Sequence, residues 1–191
     1  RARAKRPQRE RGAAAVELAI VTLPFLILIF AVLEGGWLYH DYAQLKNGVA
    51  EGARRASVAA SSPDADYQIL QQLGEHSSLN AGAIKRVVVF HASTPGAQPS
   101  ASCRAGVASS TAGAECNVYS GSDLARPASD FGCLTALDSA WCPTGRDTTP
   151  GRGDLVGVHL EMEHHFVASF FGSTLDIDRT VVMRLEGKVA A

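Results

Sequence analysis

The fold of this chain is decided first by residues 12–33, which read GAAAVELAIVTLPFLILIFAVL. After Gly12 comes a run of 21 residues in which Glu17 is the only charged side chain. At about 1.5 Å per residue, a helix of this length crosses the hydrocarbon core of a bilayer. Residues 1–12 hold six basic side chains and one acid. By the positive-inside rule, we expect this leader to stay cytoplasmic and everything after about residue 40 to lie outside.

A basic leader before an apolar run is also found in secretory signal peptides. The apolar run here is longer than the ~7–15 residues of such signals, and no small-x-small cleavage site ends it. Gly12 followed five residues later by Glu17 is instead similar to a class III signal, which prepilin peptidase cuts on the cytoplasmic side. This resemblance implies cleavage between Gly12 and Ala13, with Glu17 as the fifth residue of the mature chain.

The resemblance extends over residues 10–57 as a combination of short motifs. These are RGAAAVELA at 11–19, LP at 23–24, EGGWLY at 34–39 and AEGARRA at 50–56. Together they resemble the TadE-like family of Flp (Tad) pilus assembly proteins. Major Flp pilins are shorter and have an aromatic residue where this chain has Leu18, so the chain is more similar to the pseudopilin-like TadE or TadF members. The resemblance implies a pilin-like fold, the inner membrane as location, and prepilin peptidase, Flp pilin, other pseudopilins and the Tad membrane platform as partners.

Glu17 is the residue for which we expect a specific role. A carboxylate at mid-bilayer costs ~2.5–3.5 kcal/mol on insertion scales, and less near the surface. In pilins, as the resemblance implies, the carboxylate of the fifth residue pairs with the amine of the first residue of a neighbouring subunit, here Ala13. Such pairing makes two costly charges tolerable and selects one register between subunits. The alternative is a carboxylate that snorkels to the membrane surface without a partner. Glu34, at the outer boundary, is expected to be solvated.

The charge distribution argues against nucleic acid as a partner. The whole chain has 18 basic and 19 acidic residues, a net charge of −1. Without residues 1–12 the balance is 12 to 18, a net charge of −6. The exported part is therefore acidic and lacks the basic surface that nucleic-acid binding requires.

All four cysteines lie within 40 residues of one another in the expected exported part: Cys103, Cys116, Cys133 and Cys142. An even number in an oxidising compartment indicates disulfides, and the sequence leaves three connectivities open. Sequential pairing would close two short loops, each stabilising by ~2–4 kcal/mol. No C-x-x-C spacing is present, so we expect neither a zinc site nor any other cofactor.

We expect three parts: a basic leader at 1–12, a transmembrane helix continuing as an amphipathic stalk at 13–60, and an extracytoplasmic domain at 61–191. Apolar residues recur at helical spacing in the stalk, which should pack on the domain: Leu38, Tyr42, Leu45, Val49, Ala53 and Ala56. The pattern predicts a second helix near 66–79 and strands at 85–91, 154–167 and 175–186, with a minor strand at 114–119. The last two long strands should form an antiparallel hairpin around 168–174. The fold class is α+β, a long helix packed on a small antiparallel sheet with a disulfide-stapled loop region.

Chemical motifs outside the helix have simpler structural explanations. Four side chains that could bind one metal alternate along the polar face of the 154–167 strand, namely His159, Glu161, Glu163 and His165. We expect a solvated strand face instead, since antiparallel sheets often keep one side wet. His164 interrupts the apolar face, and we expect it at a sheet edge. Residues 152–154 read RGD, an adhesion tripeptide that a turn entering the strand explains as well.

The most favoured function is a membrane-anchored pseudopilin-like component of Flp/Tad pilus biogenesis or secretion that acts by assembly. No G-x-S-x-G, H-E-x-x-H or P-loop motif is present, so we expect no catalytic residues. One alternative is a signal-anchored receptor-like module that binds an extracellular ligand through residues 93–153. Another is an exported hydrolase. A continuous helix beyond residue 40 packed on the sheet would favour the first function, and a flexible linker there would favour the receptor.

Overall fold

A computed structural model describes residues 8–75, 81–134, 136–168 and 172–187. Residues 1–7 of the predicted leader lie outside the described residues. The first helix, α1, is continuous over Gln8–Ala59, 52 residues that span about 78 Å at 1.5 Å per residue. The residue directly after the helix, Ala60, has a left-handed φ of 53°, and Pro63 follows. This is a common way for a helix to terminate, because a left-handed residue breaks the helical hydrogen-bond pattern.

A second helix, α2, covers Ala65–Glu75 and packs across the end of α1. It covers the predicted helix as far as Glu75, and residues 76–79 of the predicted range lie outside the described residues. Gly52 of α1 allows this close approach, because a Cβ there would lie 3.3 Å from a methyl carbon of Leu73. Ile69 and Leu73 are fully buried against α1, so α2 closes one end of the core.

Four antiparallel strands form a single sheet in the order β2-β1-β3-β4. Their bounds are Ile84–Ala92 for β1, Cys116–Tyr119 for β2, Leu155–His165 for β3 and Thr174–Arg184 for β4. β3 and β4 form the predicted hairpin, with partners running from Leu155 and Arg184 to His165 and Thr174. Residues 169–171 of its predicted turn lie outside the described residues. The predicted α+β class, a long helix on a small antiparallel sheet, is confirmed.

The main core lies between the second half of α1 and one face of the sheet. Leu45, Val49, Ala53 and Ala56, all expected on the packed face, are fully buried. They meet the inward residues of β1 and β3, among them Val87, Val89, Val158 and Leu160. On β4, Ile177, Val181 and Met183 are partly buried, as predicted, whereas Leu175 is 41% exposed. Leu185, directly after the end of β4, is buried. The helical spacing in α1 and the alternation in the strands therefore each identify the packed side.

The opposite face of the sheet is less exposed than we expected. Val88 and Phe90 of β1 form a second apolar cluster, the outer cluster, with Cys103 and Cys116, which come from the 93–118 segment. That segment contains a one-turn helix, α3, at Ala101–Arg104, and then β2. The expectation of a solvated face is wrong at His159, which is 3% exposed. Its ring Nδ1 lies 2.9 Å from the Thr180 hydroxyl, which itself donates to Gln98 Oε1.

The two disulfides join Cys103 to Cys116 and Cys133 to Cys142. Of the three possible connectivities, the structure thus has the sequential one. The second disulfide lies in a segment of single 3-10 turns that a buried polar network attaches to the core. Within it, an oxygen of Asp66 lies 2.7 Å from Arg146 Nη2, and both side chains have no exposed surface. The other oxygen accepts hydrogen bonds from Asn117 and Tyr119.

Candidate functional site

The first half of α1 projects away from the domain and exposes an apolar surface. None of its most apolar 18-residue window is buried by the part of the chain that the structure describes, and by length and composition the helix could cross a membrane. The exposed large side chains between residues 16 and 33 are Val16, Leu18, Ile20, Val21, Leu23, Phe25, Leu26, Ile27, Leu28, Ile29, Phe30, Val32 and Leu33. A surface of this size in water would be strongly unfavourable, so it requires lipid or other apolar helices around it.

Gly12, Ala13 and Glu17 lie at the start of this apolar segment, all exposed on continuous helix. Glu17 is four positions after Ala13, so both lie on one side of the helix. Among the residues whose side chains the structure describes, none forms a hydrogen bond or ion pair with Glu17. Its carboxylate is therefore surrounded by apolar helix surface and open to a partner from outside the chain.

Glu34 is the second carboxylate of this segment, and the expectation that it is solvated is wrong. Its side chain is 3% exposed because the end of the β3–β4 hairpin covers it. Oε1 accepts a hydrogen bond from the backbone N–H of Ala168, and Oε2 has no hydrogen-bond partner among the described residues. Glu34 thus connects the end of the apolar segment to the hairpin tip, a name we use for the described residues 166–168 and 172–175.

A contact between His164 and Asp41 is a second connection between helix and hairpin. Asp41 lies seven residues after Glu34 on α1. The structure places His164 on a central strand, not at the sheet edge we expected, and it is 3% exposed. Its Nδ1 lies 2.6 Å from Asp41 Oδ2. Sequence reasoning missed this pair. A signal was present in the helical spacing, which places Asp41 on the same face as Glu34 and Leu45.

The side chains considered for a metal do not converge. Glu161 pairs with Arg86 at 2.9 Å, and Glu163 lies 3.3 Å from both Lys85 and His165. No group of three or more possible metal ligands occurs among the described residues. The pKa of His159 is lowered, because its burial disfavours the charged ring more than nearby carboxylates favour it. The buried ring of His159 therefore favours its neutral form.

The RGD tripeptide is part of a structural turn. Gly153 is buried, and Oδ2 of Asp154 accepts a hydrogen bond from the backbone N–H of Asp147 at 2.8 Å. The other carboxylate oxygen of Asp154 lies 3.4 Å from His91 Nε2. With its carboxylate engaged on both sides, Asp154 serves the local fold.

Comparison with known proteins identifies the segment that contains these helix residues. The model of the TadE family, described as TadE-like protein, matches residues 12–54. No curated protein and no solved structure matches the chain. The matched range begins at Gly12, contains Glu17, Glu34 and Asp41, and ends in the part of α1 that packs on the sheet. Residues 12–54 of this chain are therefore a TadE-like segment, which confirms the resemblance and implies a role associated with the Flp/Tad pilus.

Proposed function

We propose that the chain is a membrane-anchored, minor pseudopilin-like component of Flp/Tad pilus biogenesis or secretion that acts by assembly. In this proposal α1 crosses the inner membrane once, with its N-terminus in the cytoplasm and the disulfide-bonded domain outside. Prepilin peptidase removes residues 1–12, and the mature helix packs against Flp pilin, other pseudopilins or the membrane platform. The observation that carries the proposal is the coincidence of the TadE-like match with an exposed apolar helix, in which Glu17 has no partner among the described side chains.

The continuity of α1 supports this function over a receptor on a flexible linker. The helix passes from its exposed apolar half into the domain without interruption, and its second half supplies four fully buried residues to the core. Displacement of the apolar half by a neighbouring subunit would therefore be transmitted directly to the domain. A receptor needs no such rigid connection, whereas a subunit that is positioned by its helix does.

In this proposal, pairing of Glu17 determines the axial register between neighbouring helices. After cleavage, the α-ammonium of Ala13 and the carboxylate of Glu17 are the two charges at the start of an otherwise apolar helix. An isolated charge within the bilayer is costly, and an opposite charge on a neighbouring helix lowers that cost. A neighbour shifted along the helix axis would leave both charges unpaired, so one axial offset is favoured.

Intact mass spectrometry of the protein purified from its own membranes tests the processing step. A chain that begins at Ala13 supports cleavage by prepilin peptidase, and the full-length chain should accumulate in cells without that peptidase. A chain that retains Gly12 and the residues before it in wild-type cells would contradict the processing proposal and favour the permanently anchored receptor.

Crosslinking in membranes tests the assembly step. We expect Glu17→Gln to reduce crosslinking to Flp pilin or pseudopilins about tenfold or more, since loss of one partner of a buried pair costs several kcal/mol. Glu51→Gln is the matched control, because Glu51 is an exposed carboxylate on the same helix, 3.6 Å from Arg54. Equal crosslinking by both variants at equal protein levels would contradict a pairing role for Glu17.

A further inference from the structure

The β3–β4 hairpin lies lengthwise along α1 and is attached to it at three levels. At the far end, the Ser57 hydroxyl donates to the carbonyl oxygen of Arg184 at 2.6 Å. In the middle, His164 meets Asp41, and at the near end the N–H of Ala168 meets Glu34. The hairpin therefore runs back along the helix for about 35 Å, the length of 23 helical residues, toward the apolar segment.

This geometry fixes the depth of the hairpin tip relative to the proposed membrane span. Residues 13–33 fill a hydrocarbon core of about 30 Å, and the headgroup layer adds roughly 5–7 Å on each side. Glu34 directly follows that run, and Ala168 is hydrogen bonded to it. A residue held at this level lies in the outer headgroup layer, next to the hydrocarbon core.

Among the side chains exposed at this level, several are apolar or aromatic, alongside the polar Ser173 and Thr174. Val167 is 72% exposed at the hairpin tip, and Leu175 of β4 is 41% exposed. On α1, Trp37 and Tyr39 are 49% and 73% exposed, and they flank the stripe that packs on the domain. A groove of about 300 Å³, lined by Gly35, Leu38, Tyr39, Tyr42, Leu175 and Ile177, lies between α1 and β4. Aromatic residues at the end of a span are typical of the membrane interface.

We infer that the hairpin tip is a second membrane contact, in which Val167, Leu175 and the adjoining aromatic residues of α1 rest in the headgroup layer of the outer leaflet. The inference rests on the membrane anchoring proposed above. Lipid is the occupant that the geometry favours, because the surface is continuous with the span and a hydrogen bond holds it at the level of the span's end. The contact explains why Glu34 is covered, since the tip shields its carboxylate from the hydrocarbon and supplies an N–H to it.

The domain then stands directly on the bilayer. The three attachments and the lipid contact together prevent it from swinging about the helix. The unpaired edge of the sheet, β4, is thereby held at a constant orientation to the membrane, as is the exposed side of α1.

Site-specific fluorescence in proteoliposomes of the full chain tests the inference. All four cysteines are in disulfides, so a single added cysteine can be labelled with an environment-sensitive nitrobenzoxadiazole dye. Val167→Cys is the test position, and Val107→Cys is the matched control. Val107 is 59% exposed. Its carbonyl oxygen contacts Sγ of Cys116, which lies at the end of the sheet opposite to the hairpin tip. Leu28→Cys, 62% exposed in the middle of the apolar run, reports whether the helix is inserted.

We expect the dye at 167 to emit at shorter wavelength than at 107 and to lose several-fold more emission to a spin label carried near the lipid headgroup. The dye at 28 should be quenched most by a spin label deep in the acyl chain. A dye at 167 that behaves like the dye at 107, while position 28 is embedded, would overturn the lipid contact and leave the span intact. A dye at 28 that is accessible to water would overturn the anchoring itself and with it this inference.

Discussion

Replacing Arg146 by methionine should destabilise the domain strongly, because it leaves a buried carboxylate without its counter-charge. Arg146 Nη2 lies 2.7 Å from Asp66 Oδ1 and 3.1 Å from the carbonyl oxygen of Trp141. The guanidinium carbon lies 4.0 Å from the centre of the Trp141 ring. Neither Arg146 nor Asp66 has exposed side-chain surface. In Arg146→Met the ion pair and the contact with the ring are both lost while Asp66 stays buried.

The expected magnitude follows from the burial of the pair. Removing one partner of a buried ion pair typically costs ~3–5 kcal/mol of unfolding free energy. For a chain of this size, 1 kcal/mol corresponds to roughly 2–4 °C in Tm, so the variant should lose on the order of 6–20 °C. Adding Asp66→Asn should recover much of this loss, because the buried charge is then gone. The hydrogen bond from Nη2 to the carbonyl oxygen of Trp141 is lost as well, whereas Nε and Nη1 make no hydrogen bond among the described residues.

The assay is denaturant and thermal unfolding of the detergent-solubilised full chain, followed by near-ultraviolet circular dichroism and tryptophan fluorescence. Arg126→Met is the matched control. Arg126 also pairs with two carboxylates, but its side chain is 54% exposed, so its loss should change stability by no more than ~1 kcal/mol. If Arg146→Met changes stability as little as Arg126→Met, the buried pair does not hold the 141–146 segment to the core and the reasoning fails.

Three further predictions concern the outer face of the sheet, which is the face opposite to the main core. Gly157→Ala should lower the unfolding free energy by ~1–3 kcal/mol, because the added Cβ would overlap the ring of Phe90 and overpack the outer cluster. Denaturant unfolding of this variant that matches wild type would contradict the close contact. The pKa of His159 is lowered by burial, so the unfolded chain binds more protons and stability should fall as pH drops below about 6.5. His159→Asn should flatten that part of a Tm-against-pH curve, and an unchanged slope would exclude His159 as its source. Replacing Cys103 and Cys116 together by alanine should lower the unfolding free energy by ~2–4 kcal/mol, since both residues are fully buried and their disulfide closes a loop. Wild-type unfolding that is unaffected by reductant would count against this prediction.

The sheet and the helices could be predicted because their residues follow simple periods. β3 and β4 alternate apolar and polar side chains, and the second half of α1 repeats apolar residues at helical spacing. The outer face of the sheet could not be predicted, because His159 looks like a solvated residue until the 93–118 segment covers it. Nothing in the local sequence of a loop rich in small residues tells which face it will cover.

Some residues of the candidate site could likewise be predicted from the sequence, and others could not. Gly12 and Glu17 could be identified from the sequence, because they are exceptional within their immediate surroundings: one glycine at the end of a basic leader and one charge in an apolar run. Glu34 could not, since its burial depends on Ala168, which is 134 residues distant along the chain. The same holds for Asp41 and His164, whose contact joins a helix to a strand 123 residues away.

By itself, therefore, the sequence determined the long helix, its apolar half, the strand pattern and the TadE-like segment, because these depend on local composition and period. Only the tertiary structure decided which carboxylate is covered, which cysteines pair, and how closely the hairpin approaches the end of the apolar segment. The physical reason is that burial and electrostatic pairing depend on distances between residues far apart in the chain, and those distances exist only once the hairpin has packed along the helix.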